Sequence, residues 1–211
     1  MDEGVACPAE IFGMHVFDKS AMKERLPEDV YRRLMTAVEG DGKLDGSIAD
    51  YVAAAMKEWA LSKGATHYTH WFQPRTEVTA ERHMAFLNLD GEGHPIHTFS
   101  GKELIQSEPD ASSFPSGGMR NTFEARGYCT WDPSSPAFIV LSHKGGTLCI
   151  PSVFISYDGT PLDMKTPLLK SIGAIQERAM RLLKLFGNRT VRSVDVTIGA
   201  EQEYFLVDEE K

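Results

Sequence analysis

VRSVDVTIGAEQEYFLVD, residues 191–208, is the stretch on which the reading of the fold turns. Val194, Val196 and Ile198 alternate with Arg192, Asp195 and Thr197, the period of a strand with one buried face. Gly199 interrupts, and AEQEYFLVD resumes with Tyr204, Phe205, Leu206 and Val207, which favour strands. The same alternation places Glu201, Glu203 and Phe205 on one face. Two carboxylates side by side among apolar neighbours repel each other and lose hydration. Water, a basic partner or a shared hard cation would relieve them. Spacing alone favours water: a solvated strand face.

Working outward, 211 residues at 42% hydrophobic content can bury one good core, with room for a smaller satellite. The net charge of −8 does not favour a nucleic-acid or anionic-membrane surface, and no Lys/Arg run offsets it locally. Cys7, Cys129 and Cys149 are far apart and form no CxxC, which speaks against a disulfide framework or a zinc site. No apolar run is long enough for a bilayer, and no charged-then-apolar leader opens the chain. The expectation is a cytoplasmic protein of a reducing compartment, without nucleic-acid or membrane partners.

Pro27, Glu28 and Asp29 predict a helix start, Val30, Leu34 and Val38 its apolar face, and Gly40 its stop. A second helix is expected with Ser47 as cap, Ile48, Val52, Ala55, Met56 and Trp59 on one face, and Gly64 beyond its end. ATHYTHWFQP (65–74) reads as a strand. It puts His67 and His70 on opposite faces, so hydrogen-bonded structural histidines are expected rather than a shared metal. HMAFLNL and HPIHTF flank DGEG as a hairpin, and AFIVLSH and TLCIPSVFIS pair around KGG. Residues 100–136, rich in Gly, Pro and Ser, read as a long loop, with Phe114, Phe123, Tyr128 and Trp131 packing it down. Thr166 is expected to cap a long helix, with Pro167 in its first turn and a stripe from Leu168 to Phe186. Helices, a mostly antiparallel sheet, then a helix and a strand make the class α+β.

Four segments together carry a resemblance: AAAMKEWALSKGATHYTHWFQP, FSGKELIQSEPDASSFPSGGMRNTFEARGY with WDPSSPAFI, PLDMKTPLLKS, and GAEQEYFLVD. In this order they resemble the N-terminal part of a type III glutamine synthetase. The resemblance implies an N-terminal helical extension (1–64), a β-grasp-like small domain (65–165) with a long active-site loop (100–136), and a linking helix that starts the catalytic α/β domain (166–211). It implies ATP-dependent ligation of ammonia to L-glutamate through γ-glutamyl phosphate, with Mg²⁺ or Mn²⁺. Glu201 and Glu203 would then bind metal, because hard cations on oxygen ligands neutralise phosphate charge. It further implies a homo-oligomeric ring whose small domain lends an aspartate to the neighbouring subunit's ammonium site. Asp132 in WDPSSPAFI is the first candidate and Asp110 in EPDASS the second, although Asp132 also fits an ordinary Asp-Pro turn. Arg126 is either an anion ligand or part of a surface ion pair.

The family's ATP-binding residues, glutamate-binding arginines and remaining metal ligands lie beyond the matched strand. The expectation is therefore a fragment, inactive alone. The competing reading is a non-catalytic oligomerisation or regulatory module derived from such an enzyme.

Overall fold

Pro8 opens the first helix, and an aspartate caps the second. In the computed structural model, which describes residues 7–40, 44–75, 78–109, 113–114, 126–143 and 145–209, α1 is Pro8–Ile11 and α2 is Lys19–Arg25. Asp18 caps α2 by accepting from the Ala21 N–H at 2.8 Å. In α3 (Glu28–Glu39), Pro27 and two acids sit at the positive end of the helix dipole, and Val30, Leu34 and Ala37 are buried. A 3₁₀ turn, Gly46–Ile48, leads into α4 (Ala49–Ser62). Ser47 is not the cap: Asp45 accepts from both the Ser47 N–H and its hydroxyl, so the start signal lies two residues earlier. Gly64, at φ +84°, turns the chain out of α4, a conformation that costs glycine little.

β1 is Ala65–Trp71, β2 Met84–Ala85, β3 Leu87–Leu89 and β4 Pro95–His97. β3 and β4 form an exposed antiparallel hairpin around Asp90–Gly93, as the turn residues predict. Among its described residues, the region expected as loop holds three regular pieces, α5 (Gly101–Ile105), β5 (Gln106–Ser107) and β6 (Tyr128–Trp131), while Phe123 lies outside the described residues. The overlooked signal is a capping box, in which Ser100 accepts from Glu103 N–H and the Glu103 carboxylate accepts from Ser100 N–H. α5 lies tightly against α4: a Cβ on Gly101 would come within 2.7 Å of Ala49, and Gly101 N–H donates to Asp50.

β7 (Phe138–Ser142) and β8 (Gly145–Ile155) complete a six-stranded sheet, ordered β2-β1-β8-β6-β5 with β7 also on β8. β8 is its spine. Its first half lies between parallel β1 and antiparallel β7, and its second half pairs with antiparallel β6. β1 buries Tyr68, Thr69 and His70 in succession because both of its faces are covered there: Tyr68 and His70 bond Glu103 of α5 on one face, and the Thr69 hydroxyl accepts from Arg82 N–H on the other.

One core joins helices and sheet: Phe17, Val30, Leu34, Val52, Met56 and Trp59 pack with Tyr68, Ile139, Leu148 and Ile150. Each large member contributes about 2 kcal/mol by leaving water. A smaller cluster contains Phe72, Ala80, Phe114, Cys129, Phe154 and Leu162. The class is α+β. Among the described residues, no helix is long and apolar enough to cross a membrane.

The chain divides into two units, Met1–Thr166 and Pro167–Lys211. α6 is Lys165–Leu185. Thr166 lies inside it, and the cap is Asp163, whose carboxylate accepts from Thr166 N–H at 3.1 Å. Gly187, at φ +82°, follows the helix end. The second unit buries none of its described residues. The strand expected over 191–208 is not formed. A strand exists through its hydrogen-bonded neighbours, and this unit holds no second strand among its described residues.

Candidate functional site

Asp132 leaves β6 where the backbone turns, its N–H donating to the Pro151 carbonyl at 2.9 Å. The Asp-Pro sequence then folds back on its own side chain. Oδ1 accepts from Ser134 N–H at 3.0 Å and from the Ser134 hydroxyl at 2.6 Å. Oδ2 receives the Lys165 ammonium at 2.6 Å, and the same ammonium donates to the Ser135 hydroxyl at 2.8 Å. The carboxylate is only 7% exposed. Burial opposes its charge, but the hydrogen bonds from Lys165 and Ser134 and the Lys165 charge outweigh burial and hold the carboxyl below its usual range.

Two residues before Lys165, Asp163 is fully buried; one oxygen caps α6 and the other has no hydrogen-bond partner among the described residues. The Thr166 hydroxyl is likewise buried without one. Met164 N–H donates to the Gln73 carbonyl at 2.9 Å. Residues 163–166 are thus fastened to the sheet by a backbone bond and an ion pair. Asp132 and Lys165 are far apart in sequence, so no local spacing announces their pairing.

His70, on β1, sits in a second polar network. Its Nε2 lies 2.7 Å from the Glu103 carbonyl oxygen, which can only accept, so the proton belongs on Nε2. Nδ1 then faces the Ser152 hydroxyl at 2.8 Å. Burial pushes the His70 pKa down to about 4. Tyr68 donates to the Glu103 carboxylate at 2.9 Å, tying the same short helix a second time.

His67 lies on the other face, as its spacing predicts. There it pairs in register with Thr147, whose hydroxyl is 3.3 Å from His83 Nδ1, and Glu81 reaches His83 Nε2 at 3.2 Å. These residues, with Trp71 and Val140, line a cavity of about 350 Å³. Sequence spacing leaves His83 isolated; strand register brings it here.

Glu201 and Glu203 are both exposed in the irregular tail. Their oxygen donors suit Mg²⁺ or Mn²⁺, but among the described residues no three His, Cys, Asp or Glu side chains are grouped to hold a metal ion. Two carboxylates supply only part of such a shell. Asp110 lies outside the described residues; its neighbours Pro109, Ser113 and Phe114 are buried. Arg126 is exposed.

A family model described as "Glutamine synthetase type III N terminal" matches residues 8–171. The chain belongs to this family. It is 51% identical over 200 residues to a glutamine synthetase of Bacteroides fragilis, a match covering 95% of this chain. It is 44% identical to the type-3 glutamine synthetase of Dictyostelium discoideum, over 94% of its length. A glutamine synthetase of Butyrivibrio fibrisolvens is 30% identical, also over 94%. The match spans 27%, 27% and 28% of those three glutamine synthetases.

Proposed function

We propose that this chain forms the N-terminal region of an enzyme that ligates ammonia to L-glutamate at the expense of ATP. Membership of the type III glutamine synthetase family is the observation that carries the reading. In it, Glu201 and Glu203 are metal ligands, and the rest of the coordination shell comes from phosphate, water and other parts of the enzyme. The bound Mg²⁺ or Mn²⁺ supplies charge neutralisation for phosphoryl transfer. This chain's own part is to present the two carboxylates on one face of an extended segment, which strand pairing in the whole enzyme would fix. The active assembly is a homo-oligomer with sites shared between subunits.

The two loop aspartates divide the remaining work. Asp132 has both oxygens engaged by Lys165 and Ser134, which suits it to fixing the turn after β6. We assign the ammonium-facing role to Asp110, because Asp132 already accepts from Ser134, from the Ser135 hydroxyl and from Lys165 across its four lone-pair sites. The test uses a full-length chimera in which this chain replaces the matching segment of the Bacteroides fragilis enzyme. Asp110→Asn should raise the KM for ammonium by ~10-fold or more while the KM for ATP holds. Asp132→Asn should lower stability and leave the ammonium KM nearly unchanged. The opposite pattern would return the role to Asp132, and no glutamine formation by a folded chimera would sink the enzyme reading.

A further inference from the structure

The cavity on the sheet face that carries His67 takes no part in the proposed ligation. Strand register sets its floor: His67 on β1 lies beside Thr147 on β8, and Cys149 follows two residues on along the same face. The segment before β2 forms one wall. Arg82 N–H donates to the Thr69 hydroxyl at 2.9 Å, which draws this segment over β1. Glu81 and His83 then line the cavity, while the charge of Arg82, between them, is felt at Tyr68, whose side chain lies on the other face. Trp71 and Val140 add apolar surface. At about 350 Å³ the space stands near the lower end of small-molecule pockets, which run from roughly 300 to 1,000 Å³.

The polar groups choose the ligand. Among the described lining residues Glu81 is the one carboxylate, and no lysine or arginine opposes it. Its field reaches the floor: burial pushes the Cys149 thiol up to about 12, and the Glu81 charge adds to the rise. A carboxylate only accepts hydrogen bonds, and the Glu81 side chain is 45% exposed, so a ligand arriving from solvent can reach it. His83 Nε2 lies 3.2 Å from that carboxylate and His83 Nδ1 3.3 Å from the Thr147 hydroxyl. With the ring proton on Nε2, Nδ1 accepts from Thr147, and the threonine oxygen keeps its lone pairs for a ligand. A negative field among acceptors calls for a positive ligand with several N–H donors, and the apolar wall calls for a carbon body on it. An anion would meet Glu81, and a metal ion would find no group of three His, Cys, Asp or Glu ligands among the described residues.

We propose that this cavity binds a small primary amine as its ammonium ion, held by Glu81 and the Thr147 hydroxyl, with the carbon chain against Trp71 and Val140. Calorimetric titration of this chain with n-butylammonium chloride tests it, beside sodium butyrate, 1-butanol and ammonium chloride at equal ionic strength. Saturable binding of n-butylammonium is expected, at least ~10-fold tighter than that of the other three. Equal binding of butyrate or butanol would remove the part played by the Glu81 charge, and equal binding of ammonium that of the apolar wall; either result overturns the proposal. Glu81→Gln, at an exposed position, should weaken n-butylammonium ~10-fold or more while the circular dichroism spectrum is unchanged. Val140→Lys, at a position that is 53% exposed, would bring a tethered ammonium to the same cavity and should abolish binding. Undiminished binding in these two variants, or no saturable binding by the parent chain, would overturn the proposal as well.

Discussion

At His70 the folded chain refuses a proton that the unfolded chain accepts. The ring's ordinary pKa is 6.5 and its folded value about 4. Above pH 6.5 neither state is charged and the full stability is present. As pH falls from 6.5 toward 4 the unfolded state takes up the proton first, and about 3 kcal/mol should be lost across that window. Urea midpoints should fall between pH 7.5 and pH 4.5, and His70→Gln should flatten that slope. Lys165 offers a second test. Removing its charge strands the buried Asp132 carboxylate, so Lys165→Met should cost about 2–3 kcal/mol in equilibrium unfolding, with Lys165→Arg recovering part of it. Neither effect was legible residue by residue. The i, i+3 spacing placed His67 and His70 on opposite faces but said nothing of Glu103 or Ser152. Asp132 was readable as a turn former, while its lysine lies on a distant segment.

Elements were legible where their signal is local and periodic. α3, α4, β1, the β3–β4 hairpin and the β7–β8 pair all form where apolar spacing and Gly/Pro punctuation put them. α5 was missed because five residues show no periodicity, and its capping box was the only cue. The two cap corrections share a cause: Asp45 and Asp163 compete with nearby Ser47 and Thr166, and only geometry tells which side chain accepts. Packing at α5 yields a prediction at this scale. Gly101→Ala would drive a Cβ into the Ala49 backbone, and should lower stability by about 1–3 kcal/mol. Thermal unfolding of the single variant checks it, and an unchanged midpoint would show that α5 can shift away from α4.

For the whole molecule, the class α+β follows from the element order, whereas the mixed sheet with β1 parallel to β8 does not. Long-range pairing depends on what the two edges of β8 accept, and that is not written in any one segment. The 191–208 pattern shows the limit most clearly. Alternation states that a segment can be a strand, and a neighbouring strand decides whether it becomes one. Under the proposed function, Glu201 and Glu203 serve metal-dependent ligation within a larger enzyme. The most direct test is glutamine formation by the full-length chimera, with and without Glu203→Ala. The parent should be active, and the variant should lose at least ~100-fold in turnover, about 2.7 kcal/mol of barrier, while keeping its fold by circular dichroism. Undiminished activity in Glu203→Ala would contradict the metal role of this segment.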